Sequence, residues 1–131
     1  VGYSVSSPEI ADLLNRVRQP FNVNSFGLAA ASLALDDVEF ISESRRLNTQ
    51  GRDRMYADLS KLSLEWIPSK GNFVCVNVAR PAMSVFESML NQGVIVRPVA
   101  NYGLPNHLRI TVGLPHENEK MIAAMTVALD L

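Results

Sequence analysis

The sequence predicts an α/β fold of the α+β-like sandwich kind: a small, mostly antiparallel sheet of three to four strands covered by helices. Three observations predict it. Up to about residue 62, apolar residues recur at helical spacing. From Leu64 onward, short β-branched and aromatic runs alternate with amphipathic stretches, each bounded by proline or glycine. The 131 residues, 47% hydrophobic and 19% charged, suit one domain with a real core and no need of a disulfide or metal staple.

The first helix starts at Ser7-Pro8-Glu9. Ser7 offers an N-cap oxygen, Pro8 suits the first helical position, and Glu9 faces the positive end of the helix dipole. Ile10, Leu13, Leu14 and Val17 share one face, and Pro20 stops the run. Asn24 or Ser25 caps a second helix from Phe26 to about Leu35. It is apolar at nearly every position, so it is expected to be buried on most sides. From Val38 to about Leu62 the chain reads as one long exposed helix. Ile41, Met55, Leu59 and Leu62 form its sparse apolar stripe, and Gly51 marks a candidate bend.

The period then changes. Leu64–Ile67 is a short strand stopped by Pro68, and Ser69-Lys70-Gly71 is a turn. Asn72–Val78 reads as a central strand. Pro81 begins a helix with Val85, Phe86, Met89 and Leu90 inward and Gly93 as its stop. Val94–Arg97 is a strand that Pro98 ends, Asn101–Asn106 a loop, and His107–Gly113 the last strand. Pro115 opens the final helix, with Met121, Met125 and Leu129 on its buried face.

Charge and composition exclude several classes. A net charge of −1 gives no electrostatic reason to expect nucleic acid or an anionic membrane. The longest apolar run, Phe26 to Leu35, is too short to span a bilayer, and the N-terminus carries no basic region followed by an apolar stretch. Cys75 is the one cysteine, which is compatible with a reducing cytoplasm. His107, His116 and Cys75 lack metal-ligand spacing. No G-x-S-x-G elbow or glycine-rich phosphate loop is present. Lys61, Lys70 and Lys120 all stand in polar or turn settings, unlike a desolvated Schiff-base amine.

The last two strands carry the candidate chemistry. In the final strand Leu108, Ile110 and Val112 share one face, and Arg109 and Thr111 the other. Arg97 ends the neighbouring strand. Two arginines there either form a fork for a carboxylate or phosphate, which guanidinium suits by its permanent charge and paired donors, or sit on a solvated face. Tyr102 belongs to the following loop, as pocket wall or simple turn. Asn22 and Asn24 carry amides that reach a ligand or cap a helix.

Four ordered stretches resemble the histidinol-phosphate aminotransferase family. They are Arg18–Asn24, Ile67-Pro68-Ser69 through Gly71–Val74, Gly93–Pro98 and Leu108–Gly113. The resemblance implies a fold-type-I enzyme that uses pyridoxal phosphate, works as a cytoplasmic homodimer and serves histidine biosynthesis. In such families a large-domain lysine carries the cofactor and precedes an Arg-Val-Gly-Tyr segment. Val1-Gly2-Tyr3 matches the end of that segment. The chain is therefore expected to be the C-terminal small-domain piece of a longer parent. The expected organisation is a single domain, 1–131. Within it, residues 1–6 are a strand remnant of the large domain, 7–63 a helical connection and 64–131 the small-domain core. By itself the piece is expected to be inactive, to lack the catalytic lysine and to hold no cofactor stably. By motif, Arg109 is the substrate-anion arginine and Arg97 the second anion position. Asn22, Asn24 and Tyr102 are possible active-site or dimer contacts. The expected partners are its own large domain, a second subunit and small-molecule substrates. A related fold-type-I enzyme, such as threonine-phosphate decarboxylase or another aminotransferase, is the near alternative. A stand-alone non-catalytic α/β binding module is the alternative of another class.

Overall fold

The computed structural model describes residues 1–131 and groups them into two compact units, 1–43 and 44–131. Residues 1–7 form no regular element within this chain. A strand needs a neighbour for its N–H and C=O groups, and no strand of this chain pairs there.

The first unit holds α1 (Pro8–Val17), α2 (Ser25–Asp36) and the start of α3 (Val38–Lys61). α1 begins where the proline predicts, but the Ser7 side chain makes no capping bond. It bonds the Glu9 side chain instead. That bond, with the backbone N–H of Glu9, holds the Glu9 carboxyl below the usual carboxylate range. Asn24 caps α2, its Oδ1 accepting the Gly27 N–H at 2.7 Å. The expected burial of α2 does not hold: none of its residues is buried, and Phe26 and Leu33 are 87% and 72% exposed. Apolar residues around the whole helix need cover on every side, and this chain does not supply it.

The second unit is a two-layer sandwich. Its sheet has strands β1 (Glu65–Ile67), β2 (Phe73–Asn77), β3 (Arg97–Val99) and β4 (Leu104–Thr111), in the spatial order β1-β2-β4-β3, and every pairing is antiparallel. α4 (Ala82–Asn91) and α5 (Pro115–Leu129) join the end of α3 to form the second layer. The core lies between the layers. Val74, Val76, Leu108 and Ile110 from the sheet meet Met55 and Leu59 of α3, Val85 and Met89 of α4, and Met121, Met125 and Leu129 of α5. One sheet face is thus covered by helices, and the alternation along β2 and β4 sends Phe73, Cys75, Arg109 and Thr111 to the other.

Some expectations give way here. Leu90, expected inward, is 43% exposed, and Ala82 takes the buried place on α4. β3 starts at Arg97, where the sequence suggested it would end, and contains Pro98. An edge strand leaves alternate N–H groups without a sheet partner, so proline is tolerated there. β4 likewise begins at Leu104, inside the expected loop, because a register shift at Pro98/Val99 brings Leu104 opposite Val99. The core unit begins at Ser44 and not at Leu64, since the second half of α3 lends it Met55 and Leu59.

α3 also braces the β1–β2 turn. Asn48, Arg52 and Tyr56 recur every four residues on one helical face. Asn48 Nδ2 and Arg52 Nη1 donate to the Gly71 carbonyl at 3.2 and 3.3 Å, and the Ser69 N–H donates to Tyr56 Oη at 2.9 Å. The Tyr56 ring stacks on Trp66 of β1 at 5.1 Å.

Gly51 is a point of close approach within the helix and not a break in it. A Cβ there would stand 2.7 Å from Cγ1 of Val112. Gly51→Ala is therefore expected to lower the urea midpoint although alanine favours helix, since overpacking costs about 1–3 kcal/mol against a propensity gain of about 1. Adding Val112→Ala should recover much of the loss.

Candidate functional site

The uncovered sheet face carries the candidate site. Arg109 of β4 lies between Cys75 of β2 and Arg97 of β3 in a direct cross-strand row. Residues opposite one another in an antiparallel pair point to the same face, so Arg97 and Arg109 project from one face of the sheet. Like charges placed this way repel. Neither arginine makes an ion pair or a side-chain hydrogen bond. Among the strand residues on this face, the carboxylate is Glu65, in the neighbouring row opposite Asn77. Arg109 is half-buried and Arg97 exposed.

The β4 backbone fixes this row at both ends. The Gly113 N–H donates to Asn118 Oδ1, and Asn118 Nδ2 donates to the Gly113 carbonyl, both at 2.9 Å, which locks the end of β4 to the start of α5. Asn118 is buried, and both ends of its amide take part in this clasp. A Cβ on Gly113 would meet Glu117 Oε2 at 2.6 Å, so a larger residue there would displace the Glu117 carboxylate that accepts the Leu114 N–H. At the other end, Gly103 takes the left-handed conformation, with φ of 75°, between the short 3-10 turn Ala100–Tyr102 and β4.

Further groups share the face. The ζ carbon of Arg109 lies 4.9 Å from the centroid of the Phe73 ring. His107 stands opposite Asn77, half-buried, with its Nδ1 enclosed and without a hydrogen-bond partner. Asn77 Oδ1 accepts the Ala79 N–H at 3.0 Å and so serves the turn.

The other candidates are placed as follows. Tyr102 is 67% exposed on the turn between β3 and β4. Asn22 and Asn24 lie in the first unit, each already engaged. Asn22 Oδ1 accepts from Arg18 Nη1 at 3.2 Å, and Asn24 caps α2. A hollow of about 650 Å³ lies between α3 and the start of α5, lined by Leu47, Gly51, Val112 and Leu114, and neither arginine borders it. The lysines are all exposed. Lys61 Nζ donates to Asp58 Oδ1 at 2.7 Å, and Lys120 Nζ to the Gly93 carbonyl at 3.4 Å. The Lys61 bond is the main reason the Asp58 carboxyl sits below its usual range, and Arg54 adds to it.

The sequence does not single out Asn48, Arg52, Tyr56 or Asn118 as braces, and its pattern gives Phe73 no place at the site. A polar residue on an otherwise apolar helical stripe was the available signal for the α3 group.

The sequence model of the family Aminotransferase class I and II matches residues 1–125. The chain is 58% identical over 129 residues to histidinol-phosphate aminotransferase 2 of Pseudomonas fluorescens strain Pf-5, covering 98% of this chain and 35% of that protein. It is 57% identical over 129 residues to the protein of the same name from strain Pf0-1, with the same coverage. Among solved structures it is similar to histidinol-phosphate aminotransferase from Sinorhizobium meliloti in complex with pyridoxal-5'-phosphate. The TM-score is 0.80 at 25% identity, over 94% of this chain and 35% of that one. The chain thus spans about a third of the length of these curated relatives.

Proposed function

The chain belongs to the aminotransferase class I and II family, and on that footing we propose that it is the substrate-anion recognition part of a histidinol-phosphate aminotransferase. The parent enzyme exchanges an amino group between L-histidinol phosphate and 2-oxoglutarate, giving imidazole acetol phosphate and L-glutamate. The observation that carries this reading is the Arg97–Arg109 cross-strand pair, two guanidinium groups on one face without an acidic partner. An anion between them relieves their repulsion and takes up their donors. The enzyme alternates between a dicarboxylate keto acid and a phosphate ester. Carboxylate and phosphate both fit an arginine fork, so one fork serves both half-reactions.

Pyridoxal phosphate is the cofactor of the proposed parent, and the residues of this chain do not fit its attachment. The reaction needs an amine shielded from water and able to lose its proton. Lys61, Lys70 and Lys120 are exposed. The cofactor lysine is proposed to lie in the part of the relatives' length that this chain does not span. The role left to this chain is to bind the distal anion and so to orient the amino-bearing carbon toward the reaction centre. The parent's own large domain and a second subunit are the proposed cover for the exposed apolar residues of α1 and α2, with Asn22, Asn24 and Tyr102 as contact candidates. The proposed location is the cytoplasm. No helix of the chain is long and apolar enough to cross a membrane.

The test is an assay of the whole enzyme carrying this chain, supplied with L-histidinol phosphate and 2-oxoglutarate or, separately, with threonine phosphate. The expected result is L-glutamate formed from the first mixture. Carbon dioxide released from threonine phosphate, with no glutamate from histidinol phosphate, would replace this reading by the decarboxylase.

A further inference from the structure

We infer that Phe73 is a positioning residue of the anion fork, its ring holding the Arg109 guanidinium ready for the substrate anion. The inference rests on the proposed role of Arg109.

Phe73 opens β2 on the uncovered face. It pairs with Thr111, and Cys75 pairs with Arg109, so Phe73 stands diagonal to Arg109 across the β2–β4 ladder. Diagonal neighbours lie within reach of aromatic and long side chains. The ζ carbon of Arg109 is 4.9 Å from the ring centroid, inside the range of cation–π attraction. No ion pair or hydrogen bond ties down the Arg109 side chain. Without the ring, a long flexible side chain would lose its rotamer freedom at the moment of binding and weaken it. A ring engages the guanidinium through its π face and asks for none of its N–H donors. The donors stay available for a carboxylate or phosphate, which an acidic partner would have consumed.

The ring stands close to the β1–β2 turn: a Cβ added at Gly71 would come 3.6 Å from Cε1 of Phe73. That turn is pinned by Asn48, Arg52 and Tyr56 of α3. Phe73 takes no part in the buried core, so replacing it opens no core cavity.

The test uses the whole enzyme carrying this chain and reads KM for 2-oxoglutarate and kcat separately. The variants are Arg109→Ala, Phe73→Leu, Phe73→Tyr and a chain with pentafluorophenylalanine at position 73. The fluorinated ring keeps the shape and reverses the charge distribution of the π face. Expected are a KM raised by roughly threefold to tenfold for Phe73→Leu and for the fluorinated ring, kcat within about twofold, and near wild-type values for Phe73→Tyr. If Phe73→Leu fails to fold, the fluorinated ring decides alone. If Arg109→Ala is impaired while the fluorinated ring matches phenylalanine, the fork stands and the positioning role of Phe73 is overturned. If Arg109→Ala leaves KM unchanged, the fork is lost and this inference with it.

Discussion

In the whole enzyme carrying this chain, Arg109→Ala should lower kcat/KM for 2-oxoglutarate and for L-histidinol phosphate by roughly a hundredfold, about 2.7 kcal/mol of lost stabilisation. Arg109 sits mid-strand on β4, between Cys75 and Arg97, and the Asn118 clasp fixes the end of the strand. Its loss removes one tine of the fork without touching the core, because its neighbours Leu108 and Ile110 point to the opposite face. The cofactor's visible absorbance should therefore persist. Arg109→Lys should also be impaired, since an ammonium is a point charge and cannot offer paired planar donors. Unchanged kcat/KM in both variants would remove Arg109 from the site.

The second large effect concerns stability. Leu59 of α3 is 0% exposed and belongs to the core cluster. Leu59→Ala should cost about 2–5 kcal/mol in urea denaturation, the range for leucine truncation in a packed core. Ile41, on the same helix but 45% exposed, should cost far less when truncated to alanine, within about 0.5 kcal/mol. Equal small effects at both positions would show that the end of α3 is not part of the sandwich. The comparison probes a boundary that the change of period near Leu64 obscured. A helix rich in charged residues read as exposed along its length, yet its last turns complete the core with Met55 and Leu59 at four-residue spacing.

Local signals fixed the elements whose ends are set locally. Pro115 opens α5, Gly93 with φ of 73° ends α4, and the alternation from Phe73 to Asn77 marks an interior strand. β3 was less legible because pairing, and not propensity, chooses its residues. Val94, Ile95 and Val96 favour strands, but the register against β4 selects Arg97 to Val99. The burial of α2 was misread because apolar composition states a need for cover without saying which chain meets it. At the site, the shared face of Arg109 and Thr111 follows from two-residue periodicity. The opposition of Arg97 and Arg109 does not, since it depends on a register shift at Pro98/Val99. The approach of Phe73 to Arg109 was equally out of reach. It is a diagonal contact between strands far apart in sequence, and only the β2–β4 register creates it.

The proposed function requires Arg97 and Arg109 to act as one receptor for an anion. The most direct measurement follows the arginine Nε–H resonances of the 131-residue chain by NMR during titration with inorganic phosphate at constant ionic strength. The fork predicts that the Arg97 and Arg109 signals shift together on a single saturating curve, with the other arginines little changed. Shifts spread evenly over the exposed arginines, or silence at Arg97 and Arg109, would contradict it.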